Sequence, residues 1–325
     1  MDSLRDRFNR RFSYLRLSIT EACNFRCEYC LPNGYRGRTR GFLDLDEIRR
    51  LVTAFAQLGT RKVRLTGGEP SLRRDFVDIV RTLRAIPGIE RLAMTTNAYR
   101  LGRDAEALKT AGMDAINISL DGLEAGQFER ITGDRRFNQV MAGIDSTLRL
   151  GFDRVKINTV LLRGLNDGAL EQFFEFVRTR QVSVRFIELM RTGDNQAYFE
   201  RRHVGGSLVR EALLQAGWQA QARGSTDGPA IEYAHPDFAG RIGVIAPYSP
   251  GFCDSCNRLR VTARGGLRLC LFGNGNTDLR PLLARDDQLE ALKAHIMLSL
   301  HDKAPAHLLH RGDFGDTPHL ASTGG

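Results

Sequence analysis

Residues 23–30 are Cys-Asn-Phe-Arg-Cys-Glu-Tyr-Cys, which places three thiols at the spacing C-x3-C-x2-C. Thiols this close in sequence can converge on one metal centre, but they cannot all pair with one another in disulfides. Thiolates are soft ligands that favour zinc or iron–sulfur clusters. Three ligands from one loop leave a further coordination position open. The pattern predicts a metal centre that can bind another molecule; a zinc knuckle completed by a distant His is the alternative.

The aromatic residue before the last Cys, Tyr29, completes a loop that resembles the cluster loop of the radical S-adenosylmethionine (SAM) enzymes. The resemblance implies that Cys23, Cys27 and Cys30 hold a [4Fe–4S] cluster whose open iron binds SAM. It also implies that one electron from the cluster cleaves SAM to methionine and a 5′-deoxyadenosyl radical, which takes a hydrogen atom from the substrate. The cofactor carries that chemistry, while the protein supplies position and exclusion of water.

Around this loop the sequence alternates between strand and helix patterns. Residues 14–20 alternate apolar and polar side chains, as a strand does, and Asp44 with Glu47 resembles a capping box at a helix start. The predicted strands are 14–20, 62–66, 92–96, 115–120, 155–161 and 182–189, and the predicted helices between them are 44–58, 75–86, 104–111, 137–150 and 168–179. Six such alternations predict parallel strands in an α/β barrel or a doubly wound sheet.

Polar side chains recur on one face of the predicted strands. They are Arg16, Ser18, Thr20, Arg64, Thr66, Thr95, Asn97, Asn117, Ser119, Lys156 and Asn158. A parallel sheet covered by helices on both faces would be apolar on both, so this pattern favours a barrel with a polar interior. A packed barrel whose polar side chains bond one another is the alternative. The radical SAM resemblance implies an incomplete (βα)6 barrel.

Beyond Gly193 the alternation ends, and the sequence predicts a smaller C-terminal module. We predict a helix at 206–216, a polar linker at 219–228, short strands near 231–233, 241–246, 258–262 and 267–271, and a last helix at 287–300. Gly265-Gly266 is typical of a hairpin turn, and residues 301–325 are expected to be irregular. The predicted division is a domain of residues 1–222 and a C-terminal module of residues 223–325.

A second group of three thiols, Cys253, Cys256 and Cys270, lies in this C-terminal module. The three cysteines are too few for a closed tetrahedral zinc site, although His235 could supply a fourth ligand. By spacing alone, zinc and iron–sulfur centres are equally compatible with this triad.

Beside the N-terminal loop, the second triad resembles that of the GTP 3′,8-cyclases, the family of molybdenum cofactor biosynthesis protein A. The resemblance covers the whole chain in the family's order: 16–20, 64–70, 95–97, 117–121, 156–158, 188–194, 253–260 and the Gly-Gly end. Arg191 stands where many members have Pro. The resemblance implies a second [4Fe–4S] cluster whose open iron meets the guanine of GTP, and a reaction that joins ribose C3′ to guanine C8.

The resemblance also implies individual roles. The expected SAM contacts are Tyr29, Gly68, Ser119 and Met190. The expected GTP contacts are Arg16, Arg64, Thr95, Lys156, Arg258, Leu259 and Arg260, and the expected catalytic residues are Arg16, Arg258, Arg260, Gly324 and Gly325. Glycines allow a close backbone approach, and guanidinium groups bind phosphate in bidentate fashion. There is an alternative for each group. Gly67-Gly68 could form an ordinary βα turn, and Arg258 and Arg260 could form an exposed basic strand face.

Composition sets the wider frame. The chain has 325 residues, of which 42% are hydrophobic and 26% charged, and a formal net charge of +9 that favours an anionic partner. Six cysteines in two triads, with no apolar leader or membrane-length run, favour metal ligation in a reducing, cytoplasmic setting.

The expected partners are GTP, an electron donor such as flavodoxin or ferredoxin, and a downstream cyclic pyranopterin monophosphate synthase. No nucleic acid and no membrane are expected, and a homodimer is left open. Two other functions are considered: a peptide- or RNA-modifying radical SAM enzyme with an auxiliary cluster, and a zinc-dependent nucleic-acid-binding module. Peptide modifiers usually carry more C-terminal cysteines than the three found in this chain.

Overall fold

The strands of the protein lie in one sheet. The computed structural model describes residues 4–222, 224 and 227–324, and all statements below concern these residues. The strands are β1 Tyr14–Thr20, β2 Lys62–Gly67, β3 Arg91–Thr96, β4 Ala115–Ser119, β5 Arg154–Leu161, β6 Ser183–Glu188, β7 Gln219–Ala220, β8 Ile231–Ala234, β9 Arg241–Ile245, β10 Arg258–Val261, β11 Gly266–Arg268 and β12 Thr277–Asp278.

The helices follow the strands in chain order. They are α1 Leu45–Gln57, α2 Phe76–Arg84, α3 Leu101–Thr110, α4 Ala125–Thr132, α5 Phe137–Arg149, α6 Leu170–Arg178, α7 Gln196–Arg202, α8 Ser207–Gln215 and α9 Leu289–Ser299. The predicted capping box is present at α1, since the Asp44 side chain accepts from the Glu47 N–H and the Glu47 carboxylate accepts from the Asp44 N–H, both at 2.8 Å.

The sheet is an open, incomplete barrel, as the radical SAM resemblance implies. Its strand order within the described residues is β12-β11-β10-β1-β2-β3-β4-β5-β6-β9-β8-β7. Strands β1 to β6 pair in parallel, β10 adds in parallel beside β1, and β9 adds in parallel beside β6. Antiparallel strands lie outside these at each end. The strands of the predicted C-terminal module therefore extend both edges of the six-stranded unit.

The two faces of the sheet differ in polarity. Leu15, Leu17 and Ile19 of β1 are fully buried and pack in the main core with α1 residues such as Leu51 and Phe55. The opposite face borders two cavities, and the predicted polar residues that line them are Arg16, Arg64, Thr66, Thr95, Asn97, Asn117, Ser119, Lys156 and Asn158. The polar interior inferred from the alternation is confirmed.

Some elements were not predicted. Helices α4 and α7 and strand β7 are short and lie in segments assigned to loops or to the linker. The sheet continues across the predicted domain boundary at 222/223, because β7 precedes that boundary and pairs with β8 beyond it. Within the described residues no helix is long and apolar enough to span a membrane.

Candidate active site

The first triad lines a cavity at the C-terminal ends of β1 to β5. We call it the N-terminal cavity; its volume is about 990 Å³, including space open to solvent, and it is bordered by Cys23, Cys27, Cys30, Tyr29, Gly68, Ser119 and Met190, among others. The cysteine loop follows β1 directly and therefore lies at these strand ends, where α/β barrels have their active sites. Burial raises the pKa of the Cys27 thiol well above its ordinary value. The thiol therefore becomes a thiolate only when a bound cation or cluster stabilises its negative charge.

The Gly-Gly-Glu-Pro turn after β2 forms one wall of this cavity. An added Cβ at Gly67 would lie 2.0 Å from the Thr20 carbonyl oxygen, and one at Gly68 would lie 2.3 Å from the Ala22 carbonyl oxygen. The backbone of the turn therefore packs directly on the backbone of the cysteine loop, which a side chain would prevent. This contact explains the two glycines better than an ordinary βα turn does.

The carboxylate of Glu69 anchors that turn. It is fully buried and accepts hydrogen bonds from the Ser71 N–H at 3.0 Å, the Thr96 hydroxyl at 2.8 Å and the Asn97 N–H at 2.7 Å. Burial raises the pKa of Glu69, although these donors oppose the shift. Because two of the donors belong to the end of β3, the carboxylate ties the turn to the neighbouring strand.

Tyr29 is held in place by a carboxylate that the residue assignments did not include. Its hydroxyl donates to Asp121 at 2.8 Å, and the other oxygen of Asp121 accepts from the Val160 N–H at 2.7 Å. Burial raises the pKa of Asp121 to about 6. Tyr29 and Asp121 both line the N-terminal cavity, so the predicted SAM contact is oriented by β4 and β5.

The second triad lines an adjoining cavity of about 1000 Å³, which we call the basic cavity. Cys253, Cys256 and Cys270 border it together. Burial alone would raise the pKa of the Cys256 thiol, but the charges of Arg258 and Lys303 outweigh burial and lower it to about 7. Such a thiol is available as a thiolate ligand near neutral pH.

Seven cationic side chains surround the basic cavity: Arg16, Lys62, Arg64, Lys156, Arg185, Arg258 and Arg260. No Asp or Glu is among the described residues that line it. Burial, reinforced by Arg185, lowers the pKa of Lys156 to about 7, and burial with neighbouring cations lowers the pKa of Arg260 to about 9. Cations crowded in this way at low exposure indicate a site for a multiply charged anion.

Lys62, Arg185 and Tyr14 belong to this cavity but were missing from the assigned residues. Tyr14 and Lys62 lie two residues before Arg16 and Arg64, so the period of two that identified the arginines could also have found them. Arg64 donates to the Tyr14 hydroxyl. Arg185 lies beside Asn158 in the β5–β6 register and is ion-paired with Glu232.

The C-terminal segment contacts residues that line both cavities. Leu320 and Ala321 line the N-terminal cavity, and their backbone N–H groups hydrogen-bond the Cys30 thiol. The Gly324 carbonyl accepts from Arg16 at 3.1 Å (Nε) and 2.5 Å (Nη2). Gly324 has a φ of +64°, and an added Cβ would lie 2.1 Å from Thr66 Cγ2. Gly325, the other assigned residue of the tail, lies outside the described residues.

Two assigned GTP contacts do not border the basic cavity through their side chains. Thr95 lines the N-terminal cavity instead and lies 3.4 Å from an Arg64 nitrogen. Leu259 is 1% exposed and packs in the main core, which leaves only its backbone to face a ligand. Arg258 and Arg260 do line the cavity, and Arg260 is 7% exposed, which excludes an exposed basic face for this residue.

Histidine placement bears on the zinc alternatives. His235 packs against Trp218 and Phe238 and does not line either cavity. His307 lines the basic cavity with the second triad. In the described part of the chain, no three or more His, Cys, Asp or Glu side chains lie as close together as the ligands of one metal ion such as zinc would. Three thiolates of a [4Fe–4S] cluster bind three different irons and can lie further apart.

Comparison with known proteins decides the family. Residues 17–177 match the Radical SAM superfamily, and residues 182–309 match Molybdenum Cofactor Synthesis C. The chain is 54% identical over its whole length to the full GTP 3′,8-cyclase of Edwardsiella ictaluri, and 55% identical, again with full coverage of both, to that of Stenotrophomonas maltophilia K279a. The chain belongs to the GTP 3′,8-cyclase family.

Solved structures agree on the fold. SuiB of Streptococcus suis bound to S-adenosylmethionine superposes with a TM-score of 0.61 at 13% sequence identity, covering 87% of this chain and 68% of that one. At this identity the likeness concerns the fold alone, and it agrees with the incomplete β/α barrel of this chain.

The residues fit the cofactors that the GTP 3′,8-cyclase family implies. Each triad presents three thiols to one cavity, which leaves one iron of a [4Fe–4S] cluster without a protein ligand. The glycine-lined wall and the Tyr29–Asp121 pair leave room for SAM beside the first triad. The two cavities share Asn158, Ile187 and Met190, so ligands bound in them would lie next to each other.

Proposed function

We propose that the chain is a GTP 3′,8-cyclase that binds SAM in the N-terminal cavity and GTP in the basic cavity. The observation that carries the proposal is the adjoining pair of cavities, each lined by three cysteines, with seven cations around the second. The expected product is (8S)-3′,8-cyclo-7,8-dihydroguanosine 5′-triphosphate, a precursor of the molybdenum cofactor.

The triphosphate is the group that the cations recognise. Arg64 and Lys62 on β2, Lys156 on β5 and Arg185 on β6 line the cavity on the inner face of the sheet, while Arg258 lies near Cys256. Guanidinium groups contact phosphate oxygens in pairs, and Lys acts as a point charge. This arrangement leaves the guanine to meet the second triad and the ribose to face the N-terminal cavity.

The proposed reaction depends on how the protein positions SAM and GTP more than on acidic or basic side chains. A [4Fe–4S] cluster held by Cys23, Cys27 and Cys30, with SAM bound beside it, would supply the radical chemistry that removes a hydrogen atom from ribose C3′. Bond formation between C3′ and guanine C8 would then need one electron from the donor and one proton to give the dihydro product. The N-terminal cavity is lined by the cysteine loop, by Gly67-Gly68 and by Leu320 and Ala321 of the tail, and these walls would limit the access of water to the reacting groups.

The roles of single residues are part of this proposal. Arg16, Arg258 and Arg260, with the tail residues Gly324 and Gly325, act at the reacting nucleotide, and Arg16 also fixes the tail through the Gly324 carbonyl. The proposed reaction needs a one-electron donor, which we expect to be of the flavodoxin or ferredoxin type, and a downstream cyclic pyranopterin monophosphate synthase would consume its product.

The two triads can be separated by experiment. Cys27→Ala removes a ligand beside the SAM turn and should abolish SAM cleavage, whereas Cys256→Ala should spare uncoupled cleavage and stop cyclisation. Both variants are reconstituted anaerobically, and 5′-deoxyadenosine and the cyclised nucleotide are quantified by chromatography. Equal loss of SAM cleavage in both variants would contradict the division of labour between the cavities.

Metal analysis tests the cofactor assignment independently of turnover. About eight iron and eight sulfide per chain are expected for two [4Fe–4S] clusters. The single-triad variants should each retain about four of each. Zinc with little sulfide would instead support the zinc-dependent alternative and would refute the proposed reaction.

A further inference from the structure

The cysteine loop has an outer side that the proposed reaction does not use. A surface cleft, which we call the outer cleft, is lined by Cys30 and by the loop that follows it, including Leu31, Tyr35 and Arg36. Cys30 also lines the N-terminal cavity. One cluster ligand therefore lies between the SAM site and this surface.

The loop of residues 31–42 is held against the body of the protein. Arg264, in the turn between β10 and β11, donates to the carbonyls of Arg38 and Arg40, each at 3.2 Å. The Tyr35 hydroxyl donates to the Arg38 carbonyl at 2.9 Å. These bonds use the backbone of the loop and leave its arginine side chains out of the contacts that hold it.

The charge of this loop is one-sided. Residues 31–42 contain three arginines, Arg36, Arg38 and Arg40, and no Asp or Glu. All three arginines are exposed, and within the described residues none of their side chains forms an ion pair or hydrogen bond. The acidic side chains that line the outer cleft are Asp194 and Glu21, and Glu21 lies 3.4 Å from Arg264. Arg36 lines the outer cleft, and Arg38 and Arg40 lie beyond it on the same exposed loop. We call these three arginines the rim; the positive charge beside the path to Cys30 comes from this loop and not from the cleft itself.

We propose that the outer cleft and its rim, Arg36, Arg38 and Arg40, form the docking surface for an acidic protein that carries single electrons. The inference rests on the proposed function, which requires one electron per SAM cleaved. The reduced carrier loses one electron and the cluster held by Cys23, Cys27 and Cys30 gains it, so no further reactant is needed. Docking here brings the carrier next to Cys30, the cluster ligand that lines both the outer cleft and the N-terminal cavity.

Electrostatics explains why the carrier is acidic. Exposed charges of opposite sign steer encounter and raise association rates by about 10- to 1000-fold at low salt. The effect weakens once the Debye length falls to about 8 Å at physiological ionic strength. The three exposed arginines have no ion pair with the described part of the chain, so binding an acidic partner costs no existing ion-pair energy.

The test reverses the charge of the rim and measures binding directly. Purified flavodoxin is titrated into the reconstituted protein at about 50 mM and about 300 mM salt, with wild type and R36E/R38E/R40E compared by calorimetry. The reversed variant should bind at least about tenfold more weakly at low salt. R36K/R38K/R40K, which retains the charge, should bind within about threefold of wild type.

A matched control carries the same change in net charge elsewhere. R149E/R163E/R210E reverses three exposed arginines that line neither the N-terminal cavity nor the outer cleft, and it should bind flavodoxin like wild type. SAM cleavage gives a second readout: with flavodoxin as donor the rim variant should be slow, whereas with dithionite, a small reductant, its rate should match wild type.

The outcomes are separable. Wild-type flavodoxin binding by the rim variant, or an equal loss in the control variant, overturns the docking surface. Loss of single-stranded oligonucleotide binding by the rim variant, with flavodoxin binding retained, would assign the surface to nucleic acid instead. Absence of SAM cleavage by wild type even with dithionite would refute the proposed function, and the calorimetric comparison would still decide the docking surface.

Discussion

GTP affinity should fall as the pH rises through neutrality, and Lys156 should be the main cause. Its side chain is 9% exposed, lies 3.8 Å from Glu232 and has a pKa lowered to about 7 by burial and by Arg185. A bound triphosphate stabilises the charged ammonium and raises that pKa again. GTP therefore binds the protonated form better, and binding takes up a proton when the pH is above the pKa of the free protein.

The size of the effect follows from the pKa. If GTP requires the charged form, raising the pH from about 7 to about 8.5 costs about 1.6 kcal/mol, a rise of about 16-fold in Kd from Lys156 alone. Lys62, whose pKa burial lowers to about 8, adds a factor of about four over the same range. The wild-type Kd should therefore rise by well over tenfold.

Replacing Lys156 with Arg isolates its contribution, because a guanidinium group stays charged throughout this range. The Lys156→Arg variant should retain only the roughly fourfold change due to Lys62. Anaerobic calorimetry at constant ionic strength, in buffers of different ionisation enthalpy, measures both Kd and proton uptake. A wild-type Kd that changes less than about fourfold, or an identical pH profile in the Arg variant, would refute the reasoning.

Three further variants probe other parts of the structure. Gly324→Ala should displace the tail, because its Cβ would meet Thr66 Cγ2 at 2.1 Å; cyclisation should be lost with GTP binding retained, and wild-type activity would show the tail contact to be dispensable. Gly102→Ala, whose Cβ meets nothing within 4 Å, is the matched control. Gly68→Ala should weaken SAM binding at least about tenfold in equilibrium dialysis, by pushing the turn off the cysteine loop. Asp44→Ala should lower the free energy of unfolding by about 1 kcal/mol in a denaturant titration, and an unchanged midpoint would exclude the cap as a stabilising contact.

The parts of the fold that could be predicted are those with a local signal. Strand β1, with Arg16 and Ser18 facing opposite to Leu15 and Leu17, shows its two faces in its own sequence. The capping box at Asp44 is likewise contained in four residues. Because these patterns depend on chain geometry alone, the β/α order and the polar interior followed from the sequence.

The parts that could not be predicted depend on pairing between distant segments. In β10, Arg258 pairs with Tyr14 and Arg260 with Arg16 across the edge of β1, and no local pattern reports that register. The salt bridge between Arg185 and Glu232 joins residues from both predicted domains in the same way. Short helices such as α7 give too few turns for a period to be recognised. The assigned roles of the individual site residues and the division at 222/223 stay predictions.

The pairing of β10 with β1 and of β9 with β6 has a consequence for association between folding chains. A six-stranded parallel unit alone would present two rows of unpaired N–H and C=O groups, which invite association with other chains. The later half of the chain covers both rows, and the outermost strands, β7 and β12, have two residues each. The segment that carries the second triad thus also covers both edges of the barrel, so a fragment ending before β9 should self-associate.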